Sequence, residues 1–212
     1  MKDKPDSVLL ASGGLDSTTL AYWLAAKGIG FVPLFLDYGQ HCVTTEFETL
    51  RRVLPPESAR EINRVCLVDI YHGTSSRLIQ EADLWRDSMA GDPLYLPYRN
   101  LLLMTAGAAF AQSRGYSRLF AGFINSNHAK EIDCSAEFFD TLANVLADYG
   151  AVRIELPFRD MSKVEVARAG VALGAPIALT FSCQASSEIP CGACPNCVDR
   201  LDALKALTEA EA

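Results

Sequence analysis

The 212-residue sequence contains no uncharged apolar run of about 18 residues, the length needed to cross a bilayer, so no membrane span is expected. Its start, Met1-Lys2-Asp3-Lys4-Pro5-Asp6, is charged and has no apolar secretory core, which points to a soluble cytoplasmic protein. Basic tracts are missing too. With 19 Lys and Arg against 26 Asp and Glu, the formal net charge of −7 argues against a nucleic-acid partner, because phosphate backbones are held mainly by cations. A small-molecule substrate fits better. The seven cysteines are odd in number and four crowd near the C-terminus, so a metal in a reducing compartment accounts for them better than a disulfide framework. No internal repeat or low-complexity tract is visible. The length, half of it hydrophobic, suits one core slightly larger than the usual domain of about 150 residues, plus a small appendage.

The most informative stretch follows the apolar Val8-Leu9-Leu10-Ala11, where Ser12-Gly13-Gly14-Leu15-Asp16-Ser17-Thr18 breaks the strand and opens a helix. Glycines there let a ligand approach the main chain, and the amides that open the helix carry a partial positive charge. Ser12, Gly13, Gly14, Asp16, Ser17 and Thr18 are therefore the candidate phosphate site. A plain strand-turn-helix is the alternative. The Gly-Lys-Ser/Thr ending of mononucleotide loops is absent, as is a dinucleotide fingerprint. Ser-Gly-Gly-x-Asp-Ser instead resembles the pyrophosphate loop of ATP pyrophosphatases, which implies ATP cleaved between its α and β phosphates.

Buried strands are expected over 7–11, 31–36, 65–70, 118–123 and 152–156, with helices over 17–27, 44–54, 100–114, 135–149 and 162–173. Such alternation predicts an α/β fold, a Rossmann-like parallel sheet with helices on both faces, whose ligands bind beyond the strands' carboxyl ends. Residues 73–98, interrupted by Asp92-Pro93 and Leu96-Pro97, read as an irregular excursion near the site. The expected division is residues 1–180 as the nucleotide domain and 181–212 as a knuckle and C-terminal helix packed on it. Cys183, Cys191, Cys194 and Cys197, spaced C-x7-C-x2-C-x2-C with Pro190, Gly192 and Pro195 between them, suit a tetrahedral Zn2+ whose four positions are all filled by protein. Such a metal is structural. A disulfide pair is the alternative, and Cys42, Cys66 and Cys134 read as small core residues.

Together these motifs resemble the 7-cyano-7-deazaguanine synthase family (QueC), an adenine nucleotide alpha hydrolase-like fold. Asp37-Tyr38-Gly39-Gln40, Pro97-x-Arg99-Asn100, Asp133-Cys134, Lys163-x-Glu165 and Cys191-Gly192-x-Cys194-Pro195-x-Cys197 extend the likeness along almost the whole chain. The resemblance implies ATP-dependent conversion of 7-carboxy-7-deazaguanine and ammonia into an amide and then a nitrile, with Mg2+ bridging phosphate oxygens. It also implies catalytic roles for Asp16, Lys163 and Arg99, the latter two neutralising phosphate, and substrate contacts from Tyr38, Gln40, Asn100 and Asp133. A solvated helix surface is the plainer reading of Lys163 and Arg99. Asp133 either reads a guanine-like edge through two hydrogen bonds or caps the helix that follows.

The sequence departs from the family pattern at Leu15, where glutamine is common, and at His41-Cys42, where a basic pair stands. Further departures are Tyr98 in place of glycine, Asn127-His128-Ala129-Lys130-Glu131-Ile132 in place of a Ser-Gly-Tyr-Pro run, and Ser135 in place of arginine. Nucleotide-side motifs match more closely than substrate-side ones. Ammonia is the plainest nucleophile, and a homodimer is the expected assembly. A QueC-like enzyme of an antiphage system that joins a deazaguanine to a protein amine is the alternative within the class. A tRNA thiolase and a non-catalytic nucleotide-binding or zinc module are the alternatives outside it.

Overall fold

The computed structural model describes residues 5–83, 85–86, 94–124 and 134–209. Five strands, β1 (Ser7–Leu10), β2 (Phe31–Asp37), β3 (Asn63–Cys66), β4 (Arg118–Phe120) and β5 (Arg153–Glu155), form one parallel sheet in the order β3-β2-β1-β4-β5. The helices are α1 (Leu15–Ala26), α2 (Val43–Val53), α3 (Arg99–Ser113), α4 (Ala136–Tyr149), α5 (Lys163–Ala172) and α6 (Pro195–Glu209).

Alternation along the central strands sends side chains to opposite faces, and each face has its own helices. Leu9, Phe35 and Phe120 pack with α1, α2, α5 and α6 through Leu20, Leu50, Val166 and Ala203. Val8, Leu34 and Leu119 pack with α3 and α4 through Met104 and Phe139. A third cluster joins Tyr71, Leu78 and Leu96 to Phe181, Cys183, Cys194 and Cys197, so the C-terminal cysteines sit on the irregular excursion. Chain order reverses between β1 and β4, and open parallel sheets bind ligands at such a switch point, beyond the carboxyl ends of the strands.

The third strand lies earlier than its apolar run predicts. Pairing with β2 ends at Asp37 opposite Cys66, Leu67 donates its N–H to the Asp37 carbonyl at 2.6 Å, and Val68–Ile70 close into a 3-10 turn. As an edge strand, β3 alternates half-buried and exposed residues, a weaker signal than a buried run. The runs at 118–123 and 152–156 also outlast their ladders, which close after three pairs.

Two helices on one face of the sheet, α1 and α5, approach closely. A Cβ added at Gly170 on α5 would lie 2.6 Å from Thr19 Oγ1 on α1 and 2.8 Å from Ile177 Cγ2, so the missing side chain sets how near the helices approach. Gly170→Val is expected to overpack this crossing and to cost about 1 to 3 kcal/mol. A fall in the urea midpoint at unchanged slope is the measurement; an unaltered midpoint contradicts the packing account.

Candidate active site

After Leu10 the chain leaves the sheet, and the two loop glycines do different jobs. Gly13 has φ +79°, and an added Cβ would sit 2.8 Å from the Glu46 carbonyl oxygen and 2.9 Å from the Leu50 nitrogen. It is the contact between loop and α2 backbone. Bulk at Gly13 therefore attacks the fold as well as any ligand. Gly14, with φ −74°, stands at the N-cap of α1, and its N–H reaches Ser12 Oγ at 3.3 Å. The atoms nearest to an added Cβ there are Ser12 Oγ at 3.3 Å, Ser182 Oγ at 3.6 Å and Phe181 O at 3.7 Å.

Beyond the loop opens a cavity of about 720 Å³, lined by Ser12, Gly14, Asp16 and Ser17 from the β1–α1 turn and by Tyr38 and Gln40 after β2. Glu46 on α2, Arg99 and Asn100 at the start of α3, Cys134 and Lys163 add to its polar wall, and Leu36, Leu103 and Phe123 supply apolar surface. Gly13 and Thr18 do not line it, and Thr18 is fully buried. Asp133 and residues 127–132 lie outside the described residues. The N-cap of α4 is Ser135, whose Oγ accepts from Phe138 N at 3.1 Å.

Lys163 and Asp16 meet at the mouth of the loop, Nζ to Oδ2 at 2.6 Å, joining the first turns of α5 and α1. Lys163 is held there by a capping box, in which Ser162 Oγ accepts from Glu165 N and Glu165 Oε2 accepts from Ser162 N. The Lys163 side chain is mostly buried against Asp16. The other Asp16 oxygen, Oδ1, is buried with no hydrogen-bond partner, as is Ser182 Oγ close to Gly14. An orphaned carboxylate oxygen beside a phosphate-type loop fits a divalent cation such as Mg2+.

Gln40 is buried and its amide is committed: Nε2 donates to Leu36 O at 3.3 Å and to Glu46 Oε2 at 2.9 Å, and Oε1 accepts from Tyr38 N at 3.0 Å. It positions other groups. Desolvation, reinforced by the nearby Glu46, pushes the Tyr38 hydroxyl well above its usual range. Burial also pushes the Glu46 carboxyl up to about 7. Glu46 escapes a reading by motif because Thr-Thr-Glu-Phe-Glu looks like a solvated helix start. Helical spacing could have found it, since 46 shares a face with the buried Thr49, Leu50 and Val53.

Most of the described family departures have structural explanations. Leu15 is fully buried core. Tyr98 adopts left-handed φ 56° at the N-cap of α3, a position that favours glycine. His41 ties the C-terminal segment to the site, with Nδ1 2.8 Å from Ser187 Oγ and Nε2 donating to Gln184 O at 3.1 Å. Thr45 Oγ1 donates to Ser187 O beside it. Gln184, Pro195 and Asn196 consequently form part of the cavity wall.

The sulfurs of Cys183, Cys191, Cys194 and Cys197 all lie within 4.8 Å of one another. A tetrahedral zinc with Zn–S bonds of about 2.3 Å spaces its sulfurs about 3.8 Å apart, so the cluster fits that ion and keeps no position for substrate. We expect one zinc per chain. Cys194→Ser should lower metal content and thermal stability together, measured by metal analysis and melting; a variant that loses zinc but keeps its melting temperature contradicts a structural role.

The family described as "Queuosine biosynthesis protein QueC" matches residues 6–208. The chain is 32% identical over 208 residues to a 7-cyano-7-deazaguanine synthase of Methanospirillum hungatei, covering 94% of each. It is 33% identical over 212 residues to that of Methanoculleus marisnigri, covering 95% of this chain and 94% of the relative. Among solved structures, a 4-thiouridine synthetase in an RNA complex with bound ATP superposes at TM-score 0.52 with 16% identity, over 96% of this chain and 52% of that one. That likeness is one of fold alone. Among the described residues, no helix is long and apolar enough to cross a membrane.

Proposed function

The chain belongs to the QueC family, and on that premise we propose that it is an ATP-dependent carbon–nitrogen ligase acting on 7-carboxy-7-deazaguanine. It adenylates the carboxylate, aminates it to the amide, then adenylates the amide oxygen and releases the nitrile. The curated relatives' name, 7-cyano-7-deazaguanine synthase, supports this reading. The observation that carries it is the Lys163–Asp16 pair beside Gly14 at the head of a partly apolar cavity at the sheet's switch point.

A ring-bound carboxylate is a poor electrophile, because its charge is delocalised and hydroxide is a poor leaving group. Attack of its oxygen on the α phosphorus of ATP forms the acyl adenylate and expels pyrophosphate. Gly14 and the opening amides of α1 receive the phosphates, while Lys163 and Arg99 balance the charge that moves onto pyrophosphate. Asp16 Oδ1 would hold Mg2+, which when bound neutralises phosphate charge. Phe123 and Leu103 give the heterocycle an apolar surface and keep water from the activated carbonyl. Asp133, directly before the cavity-lining Cys134 in sequence, is proposed to accept from the adjacent NH and NH2 of the guanine-like edge.

ATP should yield AMP and pyrophosphate only when 7-carboxy-7-deazaguanine is present, with the nitrile detected by mass when ammonium is supplied. Gly14→Ala should fold normally and lose this turnover, because the new methyl narrows the cradle between Ser12 and Ser182. ADP as the nucleotide product contradicts adenylation. A conjugate formed with a peptide amine but not with ammonium identifies the antiphage-type alternative.

Asp133→Asn should weaken deazaguanine binding by about 1 to 3 kcal/mol and leave ATP binding almost unchanged, as read by titration of each ligand. Equal affinity of both proteins for the deazaguanine contradicts the edge-reading role.

A further inference from the structure

Among the described residues lining the cavity, only Asp16 and Glu46 are carboxylates, and their surroundings differ. Asp16 is paired with Lys163 on the phosphate side. Glu46 comes from α2, and among the described residues no ion pair reaches it. Gln40 Nε2 holds its Oε2 at 2.9 Å, and Gln40 is itself clamped by Leu36 O and Tyr38 N, so the carboxylate is fixed in the wall. The Cys42 thiol faces it as well. We propose that Glu46 is the general base for amine transfer, taking the surplus proton from the nitrogen that attacks the acyl adenylate.

This assignment rests on the ligase reading above. In amide formation the nitrogen lone pair makes the C–N bond, the acyl carbon–oxygen bond to AMP breaks with its electron pair leaving on AMP, and an N–H proton passes to Glu46. In nitrile formation the O-adenylated amide passes one of its two N–H protons to the departing pyrophosphate; the remaining N–H then breaks, its electron pair becomes the third C–N bond, the C–O bond to AMP breaks with its pair leaving on AMP, and Glu46 receives that last proton. The other charged or titratable groups facing Glu46 are Asp37 from β2, Tyr38 and Cys42 from the connection to α2, and Arg99 from α3. Arg99 favours the carboxylate and Asp37 disfavours it, while desolvation dominates and leaves the carboxyl near 7, where a base can both accept and release a proton.

The two half-reactions separate this role from folding and from substrate binding. Glu46→Gln keeps the side chain's shape and an oxygen for Gln40. It should retain carboxylate-dependent exchange of pyrophosphate into ATP within about twofold, while single-turnover amide formation falls about 10²- to 10⁴-fold. At fixed free ammonia, that step in the unmodified protein should rise with pH through about 7, because only the deprotonated carboxyl accepts a proton. Glu46→Asp should keep the rise and Glu46→Gln should lose it. Unchanged amide formation in Glu46→Gln, or equal loss of exchange and amide formation, overturns the assignment while the ligase reading stands. An unmodified protein with no carboxylate-dependent exchange overturns the ligase reading itself, and this assignment with it.

Discussion

The ion pair between Lys163 and Asp16 is the interaction on which the rest of the site depends. It joins two residues 147 apart in sequence, and each stands in the first turn of a helix that follows a parallel strand. Four features of the fold converge on it: the strand order that puts the switch point beside β1, the close crossing of α1 and α5 at Gly170, the Ser162–Glu165 box, and Gly122, whose added Cβ would lie 3.1 Å from Ser17 N. Both side chains are partly buried, so the pair's worth lies in placement more than in net stability. It fixes a cation at the loop and leaves Asp16 Oδ1 free of hydrogen bonds, a state that favours a ligand cation.

A second consequence is the division of labour between two carboxylates in one cavity. Asp16 is paired with its lysine, whereas the Glu46 carboxyl is raised by burial. Such separation puts one acid beside a cation on the phosphate side and leaves the other to exchange a proton near neutral pH. The cysteine cluster contributes indirectly. Its segment carries Gln184, Pro195 and Asn196 into the wall and is tied to the Asp37–Gln40 turn through His41 and Ser187, so losing a metal there would disturb the site as well as the tail.

Much of this was legible in the sequence. The glycine loop, the four-cysteine spacing and the alternation of buried runs with helical segments are local signals, and five strands, the helices between them and the zinc-type cluster follow from them. What was not legible depends on tertiary contacts. The third strand sits on an edge where burial is intermittent. Gln40 matches a family motif, yet its amide is spent within the protein. Glu46 reads as a surface charge until α2 is laid over the loop. The departures at Leu15, Tyr98, His41 and Ser135 look like changes to a substrate pocket in one dimension. In three they are a core residue, a strained cap, a tether and a helix cap.

The central claim is that this loop activates a carboxylate by adenylation, and the fate of oxygen tests it most directly. With 7-carboxy-7-deazaguanine labelled by ¹⁸O in the carboxyl group, aminolysis of an acyl adenylate must leave one labelled oxygen on the phosphate of AMP. Mass analysis of the nucleotide should find that label, one labelled AMP for each amide formed and one more for each nitrile. Label recovered in inorganic phosphate, with AMP unlabelled, would contradict the account.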